Sequence, residues 1–301
     1  MKTLRSFGLR TLAGAVFALA IPLAATAGGQ TEKPAGIQVV AAENTYGGLV
    51  QQIGGTHVNV VSILSDPNVD PHEYESNVQT ARQIADADLV IANGGGYDDW
   101  MNKLLGTSQT AQRVVIRAFD LAPNRLEENE HLWYDPGNVL VITQKVTEVL
   151  KQKDPAHVAD FDSGFAVLKA GLTKLTARLA GLKTKYDKTP ILLTETIFLY
   201  QSELIGLKVL TPFAFDKAIA QGNDPSPADA ILAEKQLVSR QGRILVYNVQ
   251  TVTPITTKLQ NQAKSLGIPV VPVSETMPAG EDYQSWMNKQ LDVLEAALGP
   301  R

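Results

Sequence analysis

The chain has 301 residues, 44% of them hydrophobic, 19% charged and 6% aromatic, with a formal net charge of −4. This is too apolar for a disordered chain and too long for one small domain, and the acidic balance argues against nucleic acid or an anionic membrane surface as partner. There is no cysteine, so disulfide scaffolds, thiolate metal clusters, thiol nucleophiles and a lipid carried on an N-terminal cysteine are not expected.

Residues 1–10 carry Lys2, Arg5 and Arg10 and no acid, residues 11–25 are almost continuously apolar, and Ala25-Thr26-Ala27 follows the small-x-small pattern. A short apolar core, interrupted by Pro22 and ending in a peptidase site, reads as a cleavable secretory signal peptide rather than a membrane span. Its removal leaves 24 basic against 31 acidic residues, a net charge near −7. The expected location is therefore outside the cytoplasm, without a lipid anchor on an N-terminal cysteine.

Short apolar runs then predict strands over 37–42, 58–64, 89–92 and 114–118, and again over 191–194, 208–210, 244–247 and 269–273. The runs do not alternate between apolar and polar, as expected of strands covered on both faces in a parallel sheet. Helical patterns lie between them, for example over 46–53, 78–85, 228–239 and 255–266, with start signals at Ser226-Pro227 and Thr253-Pro254. Repeated β–α units predict an α/β fold of two lobes, each a mostly parallel sheet flanked by helices. Residues 154–185 break the rhythm: Phe161, Phe165, Leu168, Leu172, Leu175, Leu179 and Leu182 keep a helical period with no strand candidate between them. At ~1.5 Å per residue, thirty residues span roughly 45 Å, the length of a helix connecting two lobes. The expected division is a leader over 1–27, a first lobe over 28–153, the linking helix over 154–185 and a second lobe over 186–301.

Ligands of open α/β sheets bind beyond the carboxyl ends of the strands. Four polar residues have that placement or lie in loops that reach it: His72, His131, Glu195 and Glu275. Two imidazoles and two carboxylates converging between lobes make a four-position site for one divalent transition metal ion. The other histidines, His57 and His157, read as solvent-facing. Asn93-Gly94-Gly95-Gly96 reads as a permissive turn, and Tyr97, Trp100 and Trp133 are candidates to line a cleft or to pack. No nucleophile elbow, His-Glu-x-x-His helix or paired-carboxylate motif is present, so nothing positive points to catalysis.

Specific runs carry a family resemblance. They include Asp70-Pro71-His72-Glu73-Tyr74-Glu75, Ala87-Asp88-Leu89-Val90-Ile91-Ala92-Asn93-Gly94, His131-Leu132-Trp133-Tyr134-Asp135-Pro136 and Thr194-Glu195. With Pro225-Ser226-Pro227-Ala228-Asp229 and Asn248-Val249-Gln250-Thr251, these make the chain resemble the periplasmic solute-binding proteins of zinc and manganese ABC transporters, the cluster A-I metal receptors. The resemblance implies two lobes joined by one rigid helix and a metal between them. It places the first ligand on His72 and the second on His131. The third, histidine in many zinc receptors and glutamate in manganese-type ones, falls on Glu195, and the fourth, commonly aspartate, on Glu275. The histidine-rich loop of many zinc receptors is absent: residues 125–130 are short and acidic.

The expected function is capture of one Zn2+ or Mn2+ ion as cargo by a non-enzymatic monomer, with delivery to a permease and its ATPase. The rival readings are a secreted metal-dependent hydrolase, with Glu73 beside His72 as a base, and a receptor for an organic solute or an adhesin on the same fold. The loops around 67–72 and 126–133 are expected to be the mobile parts without metal.

Overall fold

The computed structural model describes residues 3, 35–67, 74–108 and 110–299. The expected leader, apart from residue 3, and the candidate ligand His72 lie outside the described residues, as does Glu73.

Two four-stranded parallel sheets organise the chain. The first contains β1 (Ile37–Glu43), β2 (Val58–Leu64), β3 (Leu89–Ala92) and β4 (Val114–Arg117) in the order β2-β1-β3-β4. The second repeats that order with β5 (Pro190–Leu193), β6 (Lys208–Val209), β7 (Leu245–Asn248) and β8 (Val270–Val273), as β6-β5-β7-β8. Every strand pair is parallel, with Val39 opposite both Val60 and Leu89. In each sheet the strand order reverses between the first and third strands, and the crevice at that switch point opens at the strands' carboxyl ends.

The helices of the first half are α1 (Asn44–Gly54), α2 (Val78–Asp86), α3 (Asp99–Thr107), α4 (Ala118–Leu121) and α5 (Pro136–Lys153). Then comes α6 (Val158–Tyr186), followed by α7 (Leu199–Ile205), α8 (Phe213–Ala220), α9 (Pro227–Val238), α10 (Pro254–Ser265) and α11 (Tyr283–Leu298). Both proline start signals act as read: Ser226 accepts from the Asp229 N–H, and Thr253 closes a capping box with Thr256.

The long helix begins at Val158 rather than 154, because Pro155–His157 forms a 3-10 turn first, and it runs for 29 residues. Its buried stripe is Phe161, Leu168, Leu172, Leu175, Leu179 and Leu182, with Phe165 only partly buried at the margin. This stripe does not bridge empty space. It rests on α1 and α5 of the first half and on α7 and α11 of the second. One hydrophobic core therefore runs from Val39 and Leu89, through Val146 and Leu172, to Leu193 and Val246. Among the described residues no helix is long and apolar enough to cross a membrane.

Candidate metal centre

Three chain segments bring their polar groups to the carboxyl ends of the two sheets. Glu195 follows β5 by two residues and caps a 3-10 turn, Thr196–Phe198, by accepting from the Ile197 N–H at 2.8 Å. Glu275 follows β8 by two residues. Its backbone N–H donates to Gln250 Oε1 at 2.8 Å, which fixes the turn. His131 precedes the 3-10 turn Leu132–Tyr134, whose three side chains are all buried.

One donor atom from each of His131, Glu195 and Glu275 lies within 4.8 Å of the other two, and all three residues are buried. His131 Nε2 is 3.8 Å from Glu275 Oε2. Its other nitrogen, Nδ1, donates to Asn129 Oδ1 at 3.1 Å, and since an amide oxygen can only accept, the proton is placed on Nδ1. That leaves Nε2 directed at the carboxylates, the arrangement of a metal-ligating histidine oriented by a second partner. Asn129 is itself anchored: its side-chain N–H donates to Thr196 O at 2.8 Å. Glu275 accepts from Tyr97 Oη at 2.6 Å and from Asn248 Nδ2 at 2.5 Å. Glu195 Oε1 is buried with no hydrogen-bond partner among the described residues, a cost that a bound cation would remove.

Burial alone would strip His131 of its charge, but Glu195 and Glu275 beside it prevail and raise it to about 9. Burial pushes Glu195 up as well, against the pull of His131. A divalent cation that displaces the protons held by His131 and Glu195 would meet a neutral imidazole and carboxylate oxygens whose charge offsets its own, which is how a dry site tolerates a doubly charged guest.

A second acidic pair lies behind this centre. Glu43 ends β1, and burial, with the Asp98 charge adding to it, raises Glu43 well above the usual carboxylate range. Burial also raises Asp98, whose oxygens accept from the Asn93 and Gly94 N–H groups at 2.7 and 2.8 Å. The glycine run is thus a turn wrapped around Asp98, with positive φ at Gly94, Gly95 and Gly96.

Of the four sequence candidates the structure brings three together, His72 lying outside the described residues. Tyr97 and Trp133 do form an aromatic wall, with ring centroids 6.0 and 5.3 Å from that of His131. Trp100 instead packs on Tyr74, 4.6 Å away. Sequence reasoning missed Asn129, Asn248, Glu43 and Asp98. Asn248 was findable, since it ends β7 at the same sheet edge that singled out Glu195 and Glu275. In the segment carrying His131, Asn129, His131, Leu132 and Trp133 are buried, while Glu127 and Glu128 ahead of them are exposed. His57 and His157 are only partly exposed and stack on each other with centroids 3.9 Å apart, because the turn before α6 folds onto the end of α1.

Comparison with known proteins gives a consistent result. The family model described as zinc-uptake complex component A, periplasmic, matches residues 39–297. The iron ABC transporter substrate-binding lipoprotein MtsA of Streptococcus pyogenes serotype M1 is 24% identical over 296 residues, covering 90% of this chain and 92% of its own. The manganese ABC transporter substrate-binding lipoprotein PsaA of Streptococcus pneumoniae serotype 4 is 24% identical over 310 residues, covering 94% and 96%. Among solved structures, the periplasmic zinc binding protein TroA from Treponema pallidum superposes with a TM-score of 0.75 at 19% identity, covering 88% of this chain and all of its own. The same two-lobed fold is found in FpvC from Pseudomonas aeruginosa in complex with Mn2+, with a TM-score of 0.72 at 19% identity, covering 87% and 98%.

Proposed function

The chain belongs to the family of the periplasmic zinc-uptake complex component A, and from that premise we propose that it captures one divalent transition metal ion, Zn2+ or Mn2+, outside the cytoplasm and hands it to an ABC importer. The observation that carries the reading is the convergence of His131, Glu195 and Glu275 within 4.8 Å in a buried crevice. His72, which follows β2 in the sequence, is the fourth ligand in this proposal. The cargo leaves by docking of the protein, as a monomer, on a permease that a cytoplasmic ATPase drives. No catalytic role is proposed, since the four protein ligands of this reading would leave little of the open coordination that metal catalysis requires.

Residues 1–27 serve export in this reading, 28–153 and 186–301 form the lobes, and 154–185 links them. The relatives MtsA and PsaA are named as lipoproteins. With no cysteine to acylate, we place this protein free in the periplasm, and partition into the detergent-poor phase of a cloud-point extraction tests that.

Oxygen-rich ligand sets suit Mn2+, while the general affinity order favours Zn2+ at almost any such site. Metal analysis of untagged protein purified without added metal, followed by competition between Mn2+ and Zn2+, tests the proposal. One equivalent should be held tightly and should be lost in His131→Ala. Unchanged tight binding in that variant would overturn the ligand assignment.

A further inference from the structure

Half of the chain's histidines lie outside the buried centre, and they meet. His57 closes the 3-10 turn Gly55–His57 between α1 and β2, while His157 closes the turn Pro155–His157 that starts the connecting helix. Their rings stack 3.9 Å apart at 24°. Carboxylates flank both. Asp154 Oδ2 is 2.6 Å from His157 Nδ1, and Asp160 Oδ2 is 3.1 Å from His57 Nε2. One donor atom from each of His57, Asp154 and His157 lies within 4.8 Å of the other two.

We propose that His57, Asp154 and His157 form a second, surface metal site for an imidazole-preferring divalent ion such as Zn2+, tying the first turn of the connecting helix to the first lobe. Donors bound tetrahedrally at ~2.1 Å sit about 3.4 Å apart, so the cluster needs only a small contraction and a turn of the His57 ring out of the stack. The ion takes the place of the hydrogen between Asp154 Oδ2 and His157 Nδ1, and His157 ligates as the neutral imidazole with its proton on Nε2. Asp160 holds His57 through Nε2, which leaves Nδ1 as its ligand nitrogen, a carboxylate–histidine–metal relay. Two imidazoles and one carboxylate, with water completing the shell, favour Zn2+ over Mn2+. The partial exposure of all three residues and the missing fourth protein ligand make this a weaker site than the buried centre.

Equilibrium dialysis of the untagged protein against Zn2+ is the test. Two equivalents are expected, the second weaker than the first. His57→Phe keeps an aromatic ring in the stack, and His157→Asn keeps a polar side chain. Each should lose the second equivalent and retain the first, and Asp160→Asn should weaken the second about tenfold. His131→Ala should do the reverse, losing the first and keeping the second, so the two sites fail or survive separately. In that His131→Ala background, Zn2+ should still raise the melting temperature, and adding His157→Asn should cancel the rise. A single equivalent in the unsubstituted protein up to millimolar Zn2+, or a second equivalent that survives both His57→Phe and His157→Asn, would overturn the proposal.

Discussion

His131 and Glu195 make metal capture depend on pH in a way that ordinary histidine chemistry does not. Both hold protons more tightly in the fold than in an unfolded chain. For His131 the resulting stabilisation is complete below its ordinary value of 6.5 and is lost as pH rises through about 9. For Glu195 the native state keeps a proton that the unfolded chain releases above 4.5, so stability again falls as pH climbs. The metal-free protein should therefore lose stability progressively between about pH 5 and pH 9, and the rise in melting temperature on adding Zn2+ should grow over the same interval. A melting temperature that is flat across it would contradict this electrostatic account. Tyr97 offers a sharper test, because its hydroxyl touches the ligand rather than joining the donor cluster. Tyr97→Phe deletes the 2.6 Å bond to Glu275, and metal affinity measured against a chelator should drop roughly 10- to 100-fold while the fold stays intact.

The long helix carries three glycines that local propensity alone would treat alike, each costing roughly 0.8–1 kcal/mol against alanine. Their surroundings separate them. A Cβ on Gly164 would stand 2.5 Å from the Ile53 carbonyl oxygen, since α6 crosses the end of α1 there with nothing between the backbones. A Cβ on Gly181 would meet nothing within 4 Å. Gly181→Ala should stabilise the protein by up to about 1 kcal/mol in urea unfolding. Gly164→Ala should destabilise it by about 1–3 kcal/mol, the overpacking cost outweighing the propensity gain. Equal effects at both positions would mean that the α1–α6 approach is looser than described. The strands were legible because burial on both faces of a parallel sheet leaves an apolar run whatever its neighbours are. The first turn of α6 was not: Asp154-Pro155 is an acceptable helix start, and only the packing of His157 against His57 and of the α5 end makes it a separate turn.

Across the crevice the two halves are sewn together by hydrogen bonds as well as by the shared core. Asn44 Nδ2 donates to Met277 O and Asn44 Oδ1 accepts from the Met277 N–H. Tyr134 Oη donates to Ser274 O, and Tyr283 Oη to Trp133 O. Lys217 pairs with Glu128. A wide opening of the lobes would break these bonds and split the continuous core along α6, so metal binding should proceed without a large closure. The radius of gyration from solution scattering should be the same with and without Zn2+, and new hydrogen-exchange protection should be confined to the strand ends and loops around His131, Glu195 and Glu275. A pronounced contraction on metal addition would refute this.

The α/β class, the eight strands and the long amphipathic helix were legible in the residue order, because each rests on local periodicity that its own residues carry. That order also placed Glu195 and Glu275 at strand ends, where open sheets bind ligands. Which groups meet depends on how distant segments pack. Tyr97 reaches Glu275 across 178 residues, and Asn44 reaches Met277 across 233. His57 and His157, each unremarkable in its own turn, become a cluster because α6 folds back over α1. The proton affinities at the centre belong to the same class of fact. They come from burying a histidine with two carboxylates in one dry crevice, and no residue carries its neighbours' charge in its own place in the chain.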